Sequence, residues 1–331
     1  MNKAESQSLP VPPNLVKALR FGFDTVANHI GLILYAALFD LLLWFGPHIS
    51  LSKLFSTYLN WSTQLLVEQG TGVSEFIQNN RDMVMTAAER FNLLVVLRTF
   101  PIGIPSLMVS RLPLVNPMGS PVSWQAPSIW ILLSLIFSFI LLGLMIGTIF
   151  FLMISQITFD GKIKWQNSIS ILPRSYLQSV LLSIFWLVVI LGACLPLSCV
   201  APFLLMGGAG FGSILVFLYA TILIWLLFPL AFSPFGIFIH QDTMWVSLMR
   251  GARLVRFTLP GTALFLVIIF LVSQSLDWLW STPKETSWMA IIGVIGHAFV
   301  ATSFLAASFA YYRDAERWLE QRFKQDGRQV I

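Results

Sequence analysis

Three ionisable residues stand inside long apolar runs: Asp40 in "YAALFDLLLWFGPH" (35–48), Asp277 in "QSLDWLW" (274–280) and His297 in "IGHAFV" (295–300). A carboxylate and an imidazole within hydrogen-bond reach can exchange a proton with a substrate or pass one along a relay. Ionisable groups in membrane segments often mark such pathways. His29, His48 and His240 lie at the ends of apolar runs, and only His297 is well inside one. Metalloprotease spacing, a glycine-rich phosphate loop, a nucleophile elbow and zinc-type Cys/His spacing are all absent. "GGAGFG" (207–212) has no strand before it and reads as a tight turn between spans. Cys194 and Cys199, five apart on one apolar run, imply neither a disulfide framework nor a metal site. The residues therefore predict no catalytic centre, metal or cofactor, and the chain reads as a non-enzyme.

The elements that position these residues follow from composition. Of 331 residues, 56% are hydrophobic and 11% charged, and mean hydropathy is +0.79. Soluble domains carry about 25% charged residues, so this is a polytopic membrane protein. A span needs roughly 20 apolar residues, and six stretches qualify: 28–47, 128–157, 176–206, 211–239, 259–280 and 288–311. Ahead of the first run there is no short apolar stretch with a small-residue cleavage site, so the first span is expected to be retained.

Six spans put both termini on one side. Cytoplasmic termini place 14 of the 20 Lys and Arg on that side, and five of the other six fall in a long outer segment whose charge counts little. The basic residues sit beside span ends, where anionic headgroups lie, so the net charge of +5 points to lipid rather than nucleic acid. Trp44, Trp124, Trp130, Trp278, Trp280 and Trp288 gather at the outer interface, and Trp165, Trp245 and Trp318 at the inner one. Trp186 and Trp225 alone lie deep in spans.

Three amphipathic stretches precede pairs of spans. They carry stripes at Leu15, Ala18, Leu19, Gly22 and Val26; at Trp165, Ile169 and Leu172; and at Trp245, Leu248, Met249, Ala252 and Val255. Helices of this kind lie in the headgroup plane, which suggests three units of elbow helix plus two spans. Segment 48–127 interrupts the first unit on the outer side. Its stripes Leu51, Leu54, Phe55, Tyr58, Leu59, Leu65, Leu66 and Val73, Phe76, Ile77, Val84, Ala88, Phe91, Val95 predict two capping helices. The following apolar stretch is cut by Arg98, Pro101, Pro105 and Pro113. It reads as a re-entrant or interfacial segment, with an extended loop as the alternative.

This topology sets the depth of the ionisable residues. Asp40 is seven residues from Pro47, about 10 Å from the outer end of its helix, and His297 is nine past Trp288, roughly 14 Å in from the same side. An aspartate at a span centre costs about 2.5–3.5 kcal/mol on insertion scales, against about 0.3–0.6 returned by each large apolar residue. The span therefore inserts, with Asp40 facing protein or water. One reading is an Asp40–His297 pair, joined by Asp277, in an outward-facing polar pocket. The other is an Asp40 that hydrates near the headgroups or hydrogen-bonds a neighbouring span. Pro196 and Pro202, and Pro229 and Pro234, interrupt the third and fourth spans as kinks or as a binding site.

The elbow-plus-two-spans plan, with "TSFLAASFAYYRDAERW" (302–318) closing the last span, resembles six-span bacterial membrane proteins of unknown function, such as the membrane domain fused to glycerophosphodiester phosphodiesterases. No phosphodiesterase domain is present, so the resemblance implies a fold and no catalytic residue. The expected architecture is an all-α polytopic bundle, residues 1–331, with six transmembrane helices, the outer helical insertion 48–127 and a cytoplasmic tail 312–331. The expected setting is the cell membrane, and the expected function is that of an accessory protein contacting lipids or other membrane proteins. A transporter or permease subunit with a polar pocket in its outer half is the alternative.

Overall fold

The structure is a computed structural model describing residues 12–68, 81–206 and 209–325. In chain order it comprises α1 (Leu15–Ala27), α2 (Ile30–Phe45), β1 (His48–Ser50), α3 (Ser52–Glu68), α4 (Arg81–Arg90), a 3-10 turn (Leu93–Leu97), α5 (Met108–Arg111), β2 (Ser123–Gln125), α6 (Ile129–Asp160), α7 (Trp165–Met206), α8 (Ala209–Leu227), a 3-10 turn (Phe228–Leu230), α9 (Phe235–Ile239), α10 (Met244–Phe257), α11 (Leu259–Trp280) and α12 (Ala290–Gln325). The fold is an all-α bundle. Among the described residues five helical stretches are long and apolar enough to cross a membrane, and six if the bent pair α1 and α2 counts as one.

Two layers of contacts define the faces. Phe45 stacks near Trp288 at 6.0 Å, and Arg90 approaches Glu285 at 3.8 Å. On the opposite face His29 reaches the Gly161 carbonyl at 3.3 Å, and Arg313 lies 5.1 Å over the Phe21 ring. The second face carries both described chain ends and is called the inner face below.

The elbow helices behave differently from one another. Between α1 and α2 the chain turns by 81°, as expected of an elbow. Yet the apolar stripe of α1 packs on α12 instead of facing lipid alone: Ala18, Gly22 and Val26 are buried, and a Cβ at Gly22 would overlap the Ser303 carbonyl oxygen and Ala307. The second expected elbow does not form, because α7 runs unbroken for 42 residues from Trp165; Trp165 and Ile169 lie exposed on its first turns. The third, α10, is a separate helix ending at Phe257 and capped by Thr258. Its buried face is Met244, Ser247, Leu248, Gly251, Leu254 and Val255, rotated from the expected stripe, so that Trp245 and Met249 are exposed.

Both expected capping helices are present in part, as α3 and α4; residues 69–80, with Val73, Phe76 and Ile77, lie outside the described residues. The insertion leaves and returns at one place, because β1 and β2 pair in parallel, His48 opposite Ser123. Residues 312–325, in the expected tail, are the last turns of α12, and Tyr312, Ala315 and Leu319 on them are buried.

Segment 91–108 dives into the bundle, as the re-entrant reading expects. Leu93, Leu97, Ile102, Ile104 and Leu107 are buried. It fits because α6 presents glycine. A Cβ at Gly143 would overlap the Leu97 carbonyl oxygen, and one at Gly147 would lie 2.9 Å from that of Ile102. Gly143 is 14 residues into the 32-residue α6, about 21 Å along it at roughly 1.5 Å per residue. The irregular backbone therefore reaches the middle of a spanning helix, where it must be buried in protein.

Candidate functional site

Asp40 is on the buried face of α2 and is fully enclosed, 0% exposed. Its carboxylate accepts a short hydrogen bond from the Ser106 hydroxyl, one from the Leu107 N–H at 2.9 Å and one from the Met108 N–H at 3.1 Å. These donors sit where α5 begins, and the first N–H groups of a helix lack partners of their own. Asp40 thus ties the end of the re-entrant segment to α2. Asp40 and His297 lie close enough for the His297 charge to act on the carboxylate, but no direct hydrogen bond joins them among the described residues. His297 Nδ1 meets Asp277 Oδ1 at 2.7 Å, and its buried Nε2 has no hydrogen-bond partner among the described residues. The structure joins Asp277 to His297 and gives Asp40 to the Ser106 hydroxyl and the two N–H groups after it.

The second interruption lies toward the inner face. After α8 the chain makes a 3-10 turn at Phe228–Leu230, carrying Pro229, then turns through Pro234 into the five-residue α9. Freed backbone groups find partners on α10 and α6: the Ser247 hydroxyl donates to the Ser233 carbonyl at 2.6 Å and accepts from the Ile237 N–H at 3.2 Å. Ser155 donates to the Phe238 carbonyl at 3.1 Å. Gly251 and Gly236 permit this approach, since a Cβ at either would press on the Phe232 carbonyl or on Ser247.

The two broken segments face each other across a cleft of about 540 Å³ lined by Phe100, Pro101, Phe151, Trp186, Leu223, Ile224, Leu227, Phe228, Leu230, Ala231, Ser233, Pro234, Phe235 and Leu305. Trp186 joins its halves. Its ring meets Phe100 edge-on at 5.1 Å, and its Nε1–H donates to Ser233 Oγ at 3.2 Å. None of the described lining residues is ionisable, so the cleft suits a hydrocarbon.

At the inner end of the broken segment lies an ionic network. Arg250 Nε contacts Asp242 Oδ2 at 3.1 Å and its Nη1 donates to Glu316 Oε1 at 3.0 Å. His240 Nε2 meets Glu316 Oε2 at 2.8 Å. Burial raises the Asp242 carboxyl above its ordinary value, with the Arg250 charge opposing it. Burial also works against the Arg250 charge, but the Glu316 hydrogen bond and the two carboxylates outweigh it and hold the guanidinium above its ordinary range. Glu316 falls in the expected tail 312–331, and no role is read for it from the sequence. Its spacing from the buried Tyr312 and Leu319 was the available signal, since residues three and four apart share a helix face.

Among the described residues no group of three or more His, Cys, Asp or Glu could hold a metal ion. No protein-family model matches this chain, and no curated protein and no solved structure matches it.

Proposed function

We propose that this chain is a non-catalytic integral membrane protein that takes the hydrocarbon chain of a lipid into the Trp186 cleft. The observation that carries the reading is the lining itself: Phe100, Phe151, Trp186, Phe228 and Phe235 are aromatic, and the Ser233 hydroxyl is already engaged by Trp186. Ligand sites orient polar solutes with a few polar groups, and the polar side chains among the described lining residues, Ser233 and Trp186, are bonded to each other. A transport role for the bound chain is the second reading. It is favoured by two interrupted segments meeting in one cleft, as broken helices do at transporter binding sites; the polar outer pocket plays no part in it.

The test uses a phosphatidylcholine carrying a photoreactive diazirine in its acyl chain, reconstituted with the full chain in vesicles. Cross-links are expected on residues 223–235 and 100–101, and are expected to vanish there in Ala231→Trp, which fills the cleft. Cross-links spread evenly over the exposed faces of α8 and α11, unchanged by Ala231→Trp, would overturn the reading.

A further inference from the structure

The cleft binds hydrocarbon, but a membrane lipid also brings a headgroup, and the geometry limits where that headgroup can be. Trp186 lies at the cleft and Arg174 twelve residues earlier on the same helix, α7, about 18 Å toward the inner face at roughly 1.5 Å per residue. One leaflet contributes about 15 Å of hydrocarbon, with several ångströms of headgroup beyond it. A chain seated against Trp186 at mid-helix depth therefore places its own phosphate at the level of Arg174.

The surroundings of Arg174 support this match. It is exposed and forms no ion pair among the described residues, unlike Arg250. One turn further along α7, Gln178 Oε1 accepts from the Met244 N–H at 2.7 Å, which fixes the start of α10 beside the Arg174 turn. Along the way to the cleft, Phe185 meets Trp245 edge-on at 5.8 Å, while Leu177, Leu181 and Ile184 give α7 an exposed apolar track. The nearby Asp242 carboxylate acts electrostatically on Arg174, but Asp242 is 12% exposed and turned to Arg250 at 3.1 Å. The Arg174 guanidinium keeps its donors for a ligand, and a guanidinium fork suits phosphate oxygens.

We infer that the cleft selects an anionic phospholipid of the inner leaflet, its acyl chain against Trp186 and its phosphate on Arg174. This rests on the reading of the cleft as a hydrocarbon site and adds the class of lipid that fills it. One basic side chain near a membrane surface favours an anionic lipid by about fivefold, which sets the expected effect.

The experiment measures lipid retained by the purified full chain, by native mass spectrometry after equilibration with equal phosphatidylglycerol and phosphatidylcholine. The parent should prefer phosphatidylglycerol. Arg174→Gln should lose about fivefold of that preference, while Arg20→Gln, on the exposed face of α1, keeps it. Arg174→Lys, which preserves charge, should recover most of it and separates headgroup binding from misfolding. Retention without headgroup preference, or a preference equal in the parent and Arg174→Gln, overturns the inference and leaves the cleft reading standing. Inorganic phosphate displacing the lipid overturns it too, because the site would then be read as binding phosphate without a chain. Failure of Ala231→Trp to reduce retention of either lipid overturns the cleft reading itself.

Discussion

Replacing Asp40 tests whether a buried charge in a span works through the backbone it holds. In Asp40→Leu the N–H groups of Leu107 and Met108 and the Ser106 hydroxyl lose their acceptor in a place sealed from water. Each orphaned buried donor costs about 1–3 kcal/mol. The variant also no longer buries a carboxylate, which offsets part of the loss, since desolvating an ion costs several kcal/mol. A net destabilisation of about 2–4 kcal/mol is expected for Asp40→Leu, and about half that for Asp40→Asn, whose amide oxygen keeps one acceptor. Equilibrium unfolding in mixed micelles measures the total. Hydrogen exchange measures the locality: amides 107 and 108 should exchange about 10–100-fold faster while those of α7 hold, as 1.4 kcal/mol is a factor of ten. If Asp40→Leu is as stable as the parent and those two amides keep their protection, the tether does not exist and the charge must be explained by a ligand or a proton pathway.

Gly143→Ala should destabilise by about 1–3 kcal/mol, because the new methyl overlaps the Leu97 backbone and forces a shift in a packed site. Gly192→Ala on α7, with nothing within 4 Å of the added Cβ, should be neutral or stabilise by about 0.5–1 kcal/mol; thermal unfolding of the two variants side by side checks the contrast. At the inner face, burial raises the Asp242 carboxyl above its ordinary value of 3.8, against the pull of Arg250. The folded chain then holds that proton more tightly than the unfolded one, so the contribution of Asp242 is complete below its ordinary value and is lost as pH rises through the raised one. The parent should therefore lose stability relative to Asp242→Asn as pH climbs from the acid range toward neutrality; parallel stability profiles would refute the shift.

Much of the architecture was legible because its signals are compositional. Apolar run length placed the spans, and Pro101, Pro105 and Pro113 marked the re-entrant segment. The insertion helices showed in their stripes. What escaped were contacts written in backbone. The depth of Asp40 followed from counting residues to Pro47, but two of its three donors are backbone N–H groups that carry no residue signature, the third is a lone serine hydroxyl 66 residues away, and the side-chain search offered His297 instead. Asp277, on the adjacent helix, takes His297 because α11 and α12 are joined by a short connection. The rotated face of α10 escaped for a related reason: Ser247 and Gly251 are buried to let the broken segment come close, and a search for hydrophobic stripes passes over small residues. Pro229 and Pro234 were read as interruptions. Nothing along the chain said that the gap they leave is shared with Phe100, because that meeting depends on how α6 and α7 pack.

The tether between Asp40 and residues 106–108 also sets an order of events at the ribosome. The Ser106 donor is 66 residues downstream of Asp40, and at about 5–20 residues per second it is made roughly 3–13 s later. For that interval the first span carries a carboxylate with none of its final donors. The span inserts despite that carboxylate, because its large apolar residues return more than one aspartate costs, and the enclosed site around Asp40 is completed when the re-entrant segment arrives. The re-entrant segment therefore finishes a burial that the first span begins.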